Sequence, residues 1–227
     1  MKISVVIPVF NEEKTIIDII NKVQNVDIDK EIIIVDDGST DFTRKILKDL
    51  KQDNIKVFLH DKNLGKGSAL KTGFSHANGD IIIIQDADLE YDPVEYTRLI
   101  EPIVMGHADV VYGSRLSGGR PQRVYMFWHK VGNNILTLFT NILYNTTLTD
   151  METGYKVFKR EVIEGINIKS RDFTVEAELT AKIFKKKCKV YELPISYYGR
   201  DYSEGKKIRW YHALSAIWAL LKYKFMD

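Results

Sequence analysis

A chain of 227 residues with this pattern predicts an α/β domain, a mainly parallel sheet flanked by helices. Short β-rich runs alternate with segments of helical spacing. Several of the runs are apolar on both faces, as buried parallel strands are. The polar motifs follow directly after the runs, on the side where such sheets bind ligands beyond their strand C-termini. The expected strands are residues 3–10, 31–36, 55–60, 80–85 and 109–112. Between them, Ile16, Ile19, Ile20 and Val23 keep helical spacing, as do Ile46, Leu47 and Leu50 after Asp41, with Asp and Ser residues expected as caps. From about residue 114 the pattern changes. Ser117-Gly118-Gly119-Arg120-Pro121 reads as a loop, followed by a long helix over 124–144 with Trp128, Val131, Ile135, Leu138, Phe139 and Ile142 along one face. A strand at 155–158, a helix at 173–184, a strand at 189–197 and a terminal helix from about 208 complete the order.

Composition narrows the function classes. Apolar residues make up 44% of the chain, enough for a substantial core in one domain spanning 1–227. Lys and Arg total 33 against 31 acidic residues, a net charge of +2, so no general cationic field marks a nucleic-acid binder. Any anionic partner must be met locally. The single Cys188 cannot form an internal disulfide, in keeping with a reducing compartment. The apolar start, Ile3-Ser4-Val5-Val6-Ile7, is broken by Pro8 and is too short for a signal segment, so a cytosolic protein is expected. No stretch of about 18 strongly apolar residues occurs, so no spanning helix is expected. Two segments come close. Residues 131–149 carry no charge but hold Asn133, Asn134, Asn141 and Asn145. The C-terminal segment sets Leu214, Ile217, Trp218, Leu221 and Phe225 on one face, with Lys206, Lys207, Arg209, Lys222 and Lys224 toward its ends, a pattern that suits an interfacial helix or one packed on the sheet.

The motif with the most chemistry is Asp86-Ala87-Asp88, followed by Leu89-Glu90, straight after Ile81-Ile82-Ile83-Ile84. A buried strand thus delivers carboxylates to one spot. With no Lys or Arg between them they repel each other unless a divalent cation is near, and Mg²⁺ or Mn²⁺ fits oxygen ligands completed by phosphate. The alternative is a solvated Asp-rich turn. Pro8-Val9-Phe10-Asn11-Glu12-Glu13 follows the first strand, Asp36-Asp37-Gly38-Ser39 the second and Asn63-Leu64-Gly65-Lys66-Gly67 the third. The first position lacks GxGxxG, which disfavours a dinucleotide fold. The third lacks the glycine spacing and the Ser or Thr of a P-loop.

Taken in order, Val6 to Glu13, Val35 to Asp41, Asn63 to Gly67, Asp86 to Glu90, Gly113-Ser114-Arg115, Glu152-Thr153-Gly154-Tyr155, and Arg200 with Glu204-Gly205-Lys206-Lys207 resemble glycosyltransferase family 2, most closely its polyprenyl-phosphate (dolichol-phosphate) mannose or glucose synthase branch. The resemblance implies the GT-A fold, with residues 1–115 binding a GDP- or UDP-linked sugar. Residues 116–227 would form the acceptor half, with interfacial helices at 123–145 and 208–225. It implies a nucleotide-sugar site of Pro8, Phe10, Glu12, Val35, Asp37, Lys66, Asp86, Ala87, Asp88, Arg115, Lys156, Arg200 and Lys206, in which Phe10 stacks on the base and Glu12 and Asp37 accept hydrogen bonds from base or ribose. Core packing for Phe10, a turn role for Asp37 and a solvated Lys66 are the alternatives. Asp86, Asp88 and Glu90 would hold Mg²⁺ or Mn²⁺, while Asp88, Arg115, Glu152 and Arg200 form the catalytic set. Arg120 and Arg123 would guide an acceptor phosphate. Glu152 stands where the family often has an Asp that activates or orients the acceptor. Glu176 and Glu178, two apart on a helix, point to different faces, one toward the sugar and the other to the surface.

The implied reaction is inverting transfer of a hexose to a polyprenyl or dolichyl phosphate at the cytosolic membrane face. A family 2 transferase acting on a saccharide or protein hydroxyl is the alternative. A nucleotidylyltransferase would want a glycine-rich basic loop at the N-terminus, absent here. A non-catalytic nucleotide-sugar sensor would not need Asp88, Arg115 and Arg200 together.

Overall fold

The computed structural model describes residues 1–124, 126–200 and 212–226. A single seven-stranded sheet organises them, in the order β3-β2-β1-β4-β6-β5-β7. The strands are β1 (Ile3–Val9), β2 (Lys30–Asp36), β3 (Ile55–Leu59), β4 (Ile81–Ile84), β5 (Val110–Ser114), β6 (Lys156–Lys159) and β7 (Val190–Pro194). All run the same way except β6, which is antiparallel to both β4 and β5. The helices are α1 (Ile16–Gln24), α2 (Thr43–Lys48), α3 (Lys66–Ser75), α4 (Tyr96–Val104), α5 (Phe127–Tyr144), α6 (Arg160–Glu164), α7 (Val175–Lys185) and α8 (His212–Phe225).

Strand alternation decides which helix covers which face. Val5, Ile7, Ile32, Ile34 and Ile83 point one way and meet Ile16, Ile19 and Ile20 of α1 with Leu99 and Ile103 of α4. Val6, Ile33, Val35 and Ile82 point the other way and meet Leu70 of α3, Leu179 of α7 and Leu220 of α8. Each fully buried aliphatic side chain contributes about 1.5–3 kcal/mol, so both faces must be covered for the sheet to persist.

Three helices differ from the sequence expectation in being additional: α3, α4 and α6. Residues 66–75 carry little amphipathic signal because glycine occupies inward positions. A Cβ on Gly67 would lie 2.1 Å from the Ser170 carbonyl oxygen, so α3 must approach that loop with no side chain between. α4 has a readable buried stripe of Tyr96, Leu99, Ile100 and Ile103, interrupted by Pro102 in its last turn.

The expected caps are corrected. α1 begins after Thr15 and α2 after Phe42, neither with a side-chain cap bond. Asp41 acts one residue earlier instead, accepting the Thr43 amide at 2.9 Å and the Glu13 amide at 3.2 Å, which ties the loops after β1 and β2 together. The long helix starts at Phe127 rather than 124, because Met126 takes a left-handed conformation. Its marked face is turned outward: Trp128, Ile135, Leu138 and Ile142 are exposed, while Leu136, Thr137 and Thr140 are buried. On α8, Leu214, Trp218 and Phe225 are also exposed. Among the described residues no helix is long and apolar enough to cross a membrane.

Candidate active site

Beyond the C-terminal ends of β1, β2 and β4 lies a cleft of about 720 Å³, closed on the far side by α5, α8 and the turn before α7. The turn after β4 supplies its acidic floor. Gln85 sits buried at the strand end, takes a hydrogen bond from the Tyr96 hydroxyl, and donates to the carbonyls of Asp86 and Tyr91, pinning both ends of the turn. This aims Asp86 and Asp88 into the cleft. A Cβ on Gly154 would come within 2.3 Å of Asp86 Oδ2, so glycine there makes room for the carboxylate.

Each acid meets a base from another part of the chain. Lys66, first residue of α3, lies 2.8 Å from Asp86 Oδ1 and 3.0 Å from Glu176 Oε1. Burial pulls Lys66 toward neutrality, but Asp86 and Glu176 outweigh it and hold it protonated, above the ordinary lysine value. Arg200 spans the cleft mouth. Its Nη1 and Nη2 are 3.1 and 3.2 Å from the two oxygens of Glu12, and Nη2 is 3.0 Å from Asp88 Oδ2. Burial, then the negative charges of Asp86 and Glu90, push Asp88 up to about 7 against the opposing pull of Arg200. Arg115 is clamped differently. Buried Asp150 accepts its backbone amide at 2.9 Å, its Nε at 2.6 Å and its Nη2 at 2.7 Å, and Asn133 adds a fourth bond at 2.8 Å. The guanidinium lies 5.3 Å from the centre of the Tyr197 ring.

Glu152 lines the same cleft with Oε1 buried and without a hydrogen-bond partner. Burial, with Glu176 next, raises its pKa to about 7. It is the cleft's least satisfied carboxyl.

These donors fit a hard divalent cation. Asp86 and Asp88 offer only oxygen, and the strain on ionised Asp88 is what a cation would relieve. They do not form a closed protein cage: among the described residues no cluster of three His, Cys, Asp or Glu side chains is arranged to hold a metal. Glu90, expected as a third ligand, has other work. Its Oε2 accepts the Tyr197 hydroxyl at 2.8 Å and its Oε1 the Arg200 amide at 2.7 Å, so it anchors the strap that carries Arg200. A cation held by Asp86 and Asp88 would need its remaining ligands from a phosphate-bearing substrate, the usual state of Mg²⁺.

The family description "Glycosyl transferase family 2" matches residues 4–166. The chain belongs to glycosyltransferase family 2. It is similar to the UDP-N-acetylglucosamine–dolichyl-phosphate N-acetylglucosaminyltransferase of Methanococcus voltae, 32% identical over 90% of this chain and 88% of that one. It is also similar to the dolichol-phosphate mannosyltransferase of Pyrococcus furiosus, 30% identical over 99% of this chain, which spans 65% of that relative. Among solved structures, glucosyl-3-phosphoglycerate synthase from Mycobacterium tuberculosis, in complex with Mn²⁺ and UDP, superposes with a TM-score of 0.75 at 22% identity, covering 100% of this chain and 81% of that one. That likeness establishes the GT-A fold.

Within this family 2 transferase, Pro8, Phe10, Glu12, Asp37, Lys66, Asp86, Ala87, Asp88, Arg115, Glu152 and Arg200 do line one cleft. Five expectations are corrected. Val35 is fully buried in the core on the α3 side and is not among the residues that line the cleft. Lys156 is fully buried and spends its ammonium on Glu176 Oε2 at 2.5 Å, Met151 O at 3.2 Å and Thr153 O, so it supports Glu176 rather than a ligand. Arg120 lies on a separate groove with Val94, Arg98 and Met105. Arg123 lies outside the cleft lining and donates to the Gly199 carbonyl at 2.8 Å. Glu178 is not at the surface: it is buried, 2.7 Å from Lys182, and caps the amides of Lys169 and Ser170. Lys206 and Lys207 lie outside the described residues.

Asp150 and Glu176 are the residues that sequence reasoning undervalued. Glu176 joins Lys66 to Lys156, and burial's upward push on it is overcome by the two lysines, which hold its pKa below the usual carboxylate range. The readable signal was the pair of acids in the first turn of the helix Val175–Lys185, where both proved buried. For Asp150 there was only its place two residues before Glu152.

Proposed function

We propose that this family 2 transferase moves a hexose from a GDP- or UDP-linked sugar to a polyprenyl or dolichyl phosphate, with inversion and with Mg²⁺ or Mn²⁺. The observation that carries the reading is the cleft's two-sided character. The strand-end side presents Asp86, Asp88, Lys66 and Arg115, while the α5 and α8 side presents Trp128, Leu136, Ala213 and Ala216. The outer faces of the same two helices expose Phe127, Trp128, Leu214 and Trp218. A phosphate with an apolar tail fits such a junction, and the two relatives named above carry dolichyl phosphate or dolichol phosphate in their names.

Phe10 supplies a face for the base, and Glu12 and Asp37 supply acceptors for its donors or the ribose. Asp86 and Asp88 would hold the cation, which when bound would supply Lewis-acid stabilisation of a departing diphosphate. Lys66, Arg115 and Arg200 add fixed positive charge where two phosphates meet, the arginines as planar forks. Residues 1–115 bind the donor and 116–227 complete the pocket and select the acceptor. An acceptor phosphate is already anionic, so Glu152 only orients it. Displacement at an α-linked donor gives a β-linked product. Radiolabelled transfer to polyprenyl phosphate, compared with a soluble oligosaccharide, tests the acceptor class, and an α-glycosyl phosphate would refute inversion.

Glu152 favours one second reading, transfer to a saccharide or protein hydroxyl. A carboxyl with pKa near 7 and an unpartnered oxygen has the profile of a general base. In that case kcat/KM rises with pH up to about 7 as Glu152 loses its proton, and Glu152→Gln removes both this limb and most of the activity. With a lipid phosphate as acceptor, Glu152→Gln keeps kcat within about tenfold, below the roughly hundredfold or more that a general base contributes. A pH profile of both proteins decides between the readings.

The exposed aromatics predict association with the bilayer surface. Flotation with anionic liposomes should carry the protein to the lipid fraction, and Trp128→Ser with Trp218→Ser should leave it in the aqueous layer. A protein that never floats, with or without polyprenyl phosphate, is not peripheral to the membrane.

A further inference from the structure

His60 follows the sheet-edge strand β3 (Ile55–Leu59) and has no part in the chemistry above. Its Nδ1 lies 2.7 Å from Asp37 Oδ1 and its Nε2 2.9 Å from Thr72 Oγ1 on α3. Asp37 also accepts the Leu64 amide on Oδ1 at 3.0 Å and the Gly65 amide on Oδ2 at 2.7 Å. A carboxylate can only accept, so Nδ1 carries the hydrogen in the His60–Asp37 bond. Two donors therefore fill Oδ1 and one occupies Oδ2. Of about four lone-pair positions on a carboxylate, a single one remains, on Oδ2. His60 is itself held by Thr72, and both imidazole and carboxylate are largely buried, with side-chain exposures of 12% and 4%. The carboxylate plane is thus fixed from behind by a side chain that never enters the cleft.

We propose that His60 is a positioning residue that selects the base of the donor nucleotide: by saturating Oδ1 of Asp37 it leaves the pocket able to accept one N–H, which suits uracil and not guanine. This rests on the reading of Asp37 as a base-binding residue given above. Uracil offers one ring donor, N3–H, between two carbonyls. Guanine offers N1–H beside its amino group, and a carboxylate meets that pair with one lone pair from each oxygen. Here Oδ1 has none to give. Cytosine turns a bare ring nitrogen toward the carboxylate and is repelled. Without His60, Oδ1 keeps only the Leu64 amide and Oδ2 only the Gly65 amide, so the carboxylate can offer one lone pair from each oxygen.

Calorimetric titration of the full chain with UDP, CDP and GDP in the presence of Mg²⁺ tests this. The parent should bind UDP at least about tenfold tighter than CDP or GDP, as expected for one charge-assisted hydrogen bond. His60→Leu, which fills the space without donating, should bring the UDP-to-GDP ratio to within about threefold. Thr72→Val should move the ratio in the same direction and stands in if His60→Leu does not fold. A loss of stability alone lowers the fraction of competent protein and leaves the ratio untouched. Equal binding of UDP and GDP by the parent overturns the inference while leaving the donor site intact, and so does an unchanged ratio in a folded variant. If none of the three nucleotides binds, the donor-site reading falls and this inference with it.

Discussion

Asp88→Ala is expected to lower kcat/KM for nucleotide-sugar turnover by about a thousandfold, the scale of removing one charge-stabilising group from a phosphate-transferring site. Asp88 is where the cleft's charges converge: Asp86 and Glu90 press on it and Arg200 crosses to it at 3.0 Å. Removing it takes away a cation ligand and releases one contact of the Arg200 fork at once. Exhaustive chelation should reduce the parent to a comparable rate, and added Mn²⁺ should restore the parent but not the variant. Undiminished release of nucleoside diphosphate by the chelated variant would end the metal-site reading. Stability should move the other way. Asp88 has a folded pKa of about 7 against an ordinary 3.8, so the native state holds a proton that the unfolded chain has lost between those values. The contribution of Asp88 to stability therefore declines as pH rises through that window. At pH 8 without metal, Asp88→Ala should melt no lower than the parent. Catalytic loss without destabilisation separates a functional carboxylate from a structural one.

Asp150→Ala should show the opposite balance, with a loss of stability of about 3–5 kcal/mol, the cost of leaving a buried partner charge uncompensated. For a chain of this size that corresponds to a melting point lower by roughly 6–20 °C. Asp150 is fully buried, and three bonds from Arg115 and one from Asn133 converge on it. Burial alone would raise its pKa, but Arg115 outweighs burial and holds it below the usual value. Its contribution is therefore fully present above the unfolded pKa and is lost as pH falls toward the depressed folded one. Activity should fall with the variant too, since Arg115 loses the clamp that aims it into the cleft. Asp150→Asn, which keeps one acceptor, should lose less of both. A melting curve unchanged in Asp150→Ala would mean that Arg115 finds other partners and that the clamp is not what fixes it.

Much of the donor side was legible because strand ends carry it. Pro8, Phe10, Asp37, Asp86 and Asp88 sit within a few residues of buried apolar runs, and a parallel sheet sends all such ends to one edge. Val35 was misread because it lies within β2 rather than beyond its end, where the core on the α3 side covers it completely. The cationic side was harder. Lys156 reads like any motif lysine, yet fold closure placed it under Glu176 with no route to solvent. Arg120 and Arg123 precede α5 in the chain, but Arg120 lines a separate groove and Arg123 donates to the Gly199 carbonyl, so neither lines the cleft.

The sequence by itself determined the class of sheet, the edge on which chemistry gathers and the acids at β4, since hydrophobic period and motif order are local properties of the chain. Only the tertiary structure decided the charge partners: Arg200 with Glu12 and Asp88, Lys66 with Asp86 and Glu176, Arg115 with Asp150, and His60 with Asp37. These pairs join residues far apart in the chain. No local rule names a partner, because the attraction between two buried charges depends on their separation in space and on the solvent excluded around them.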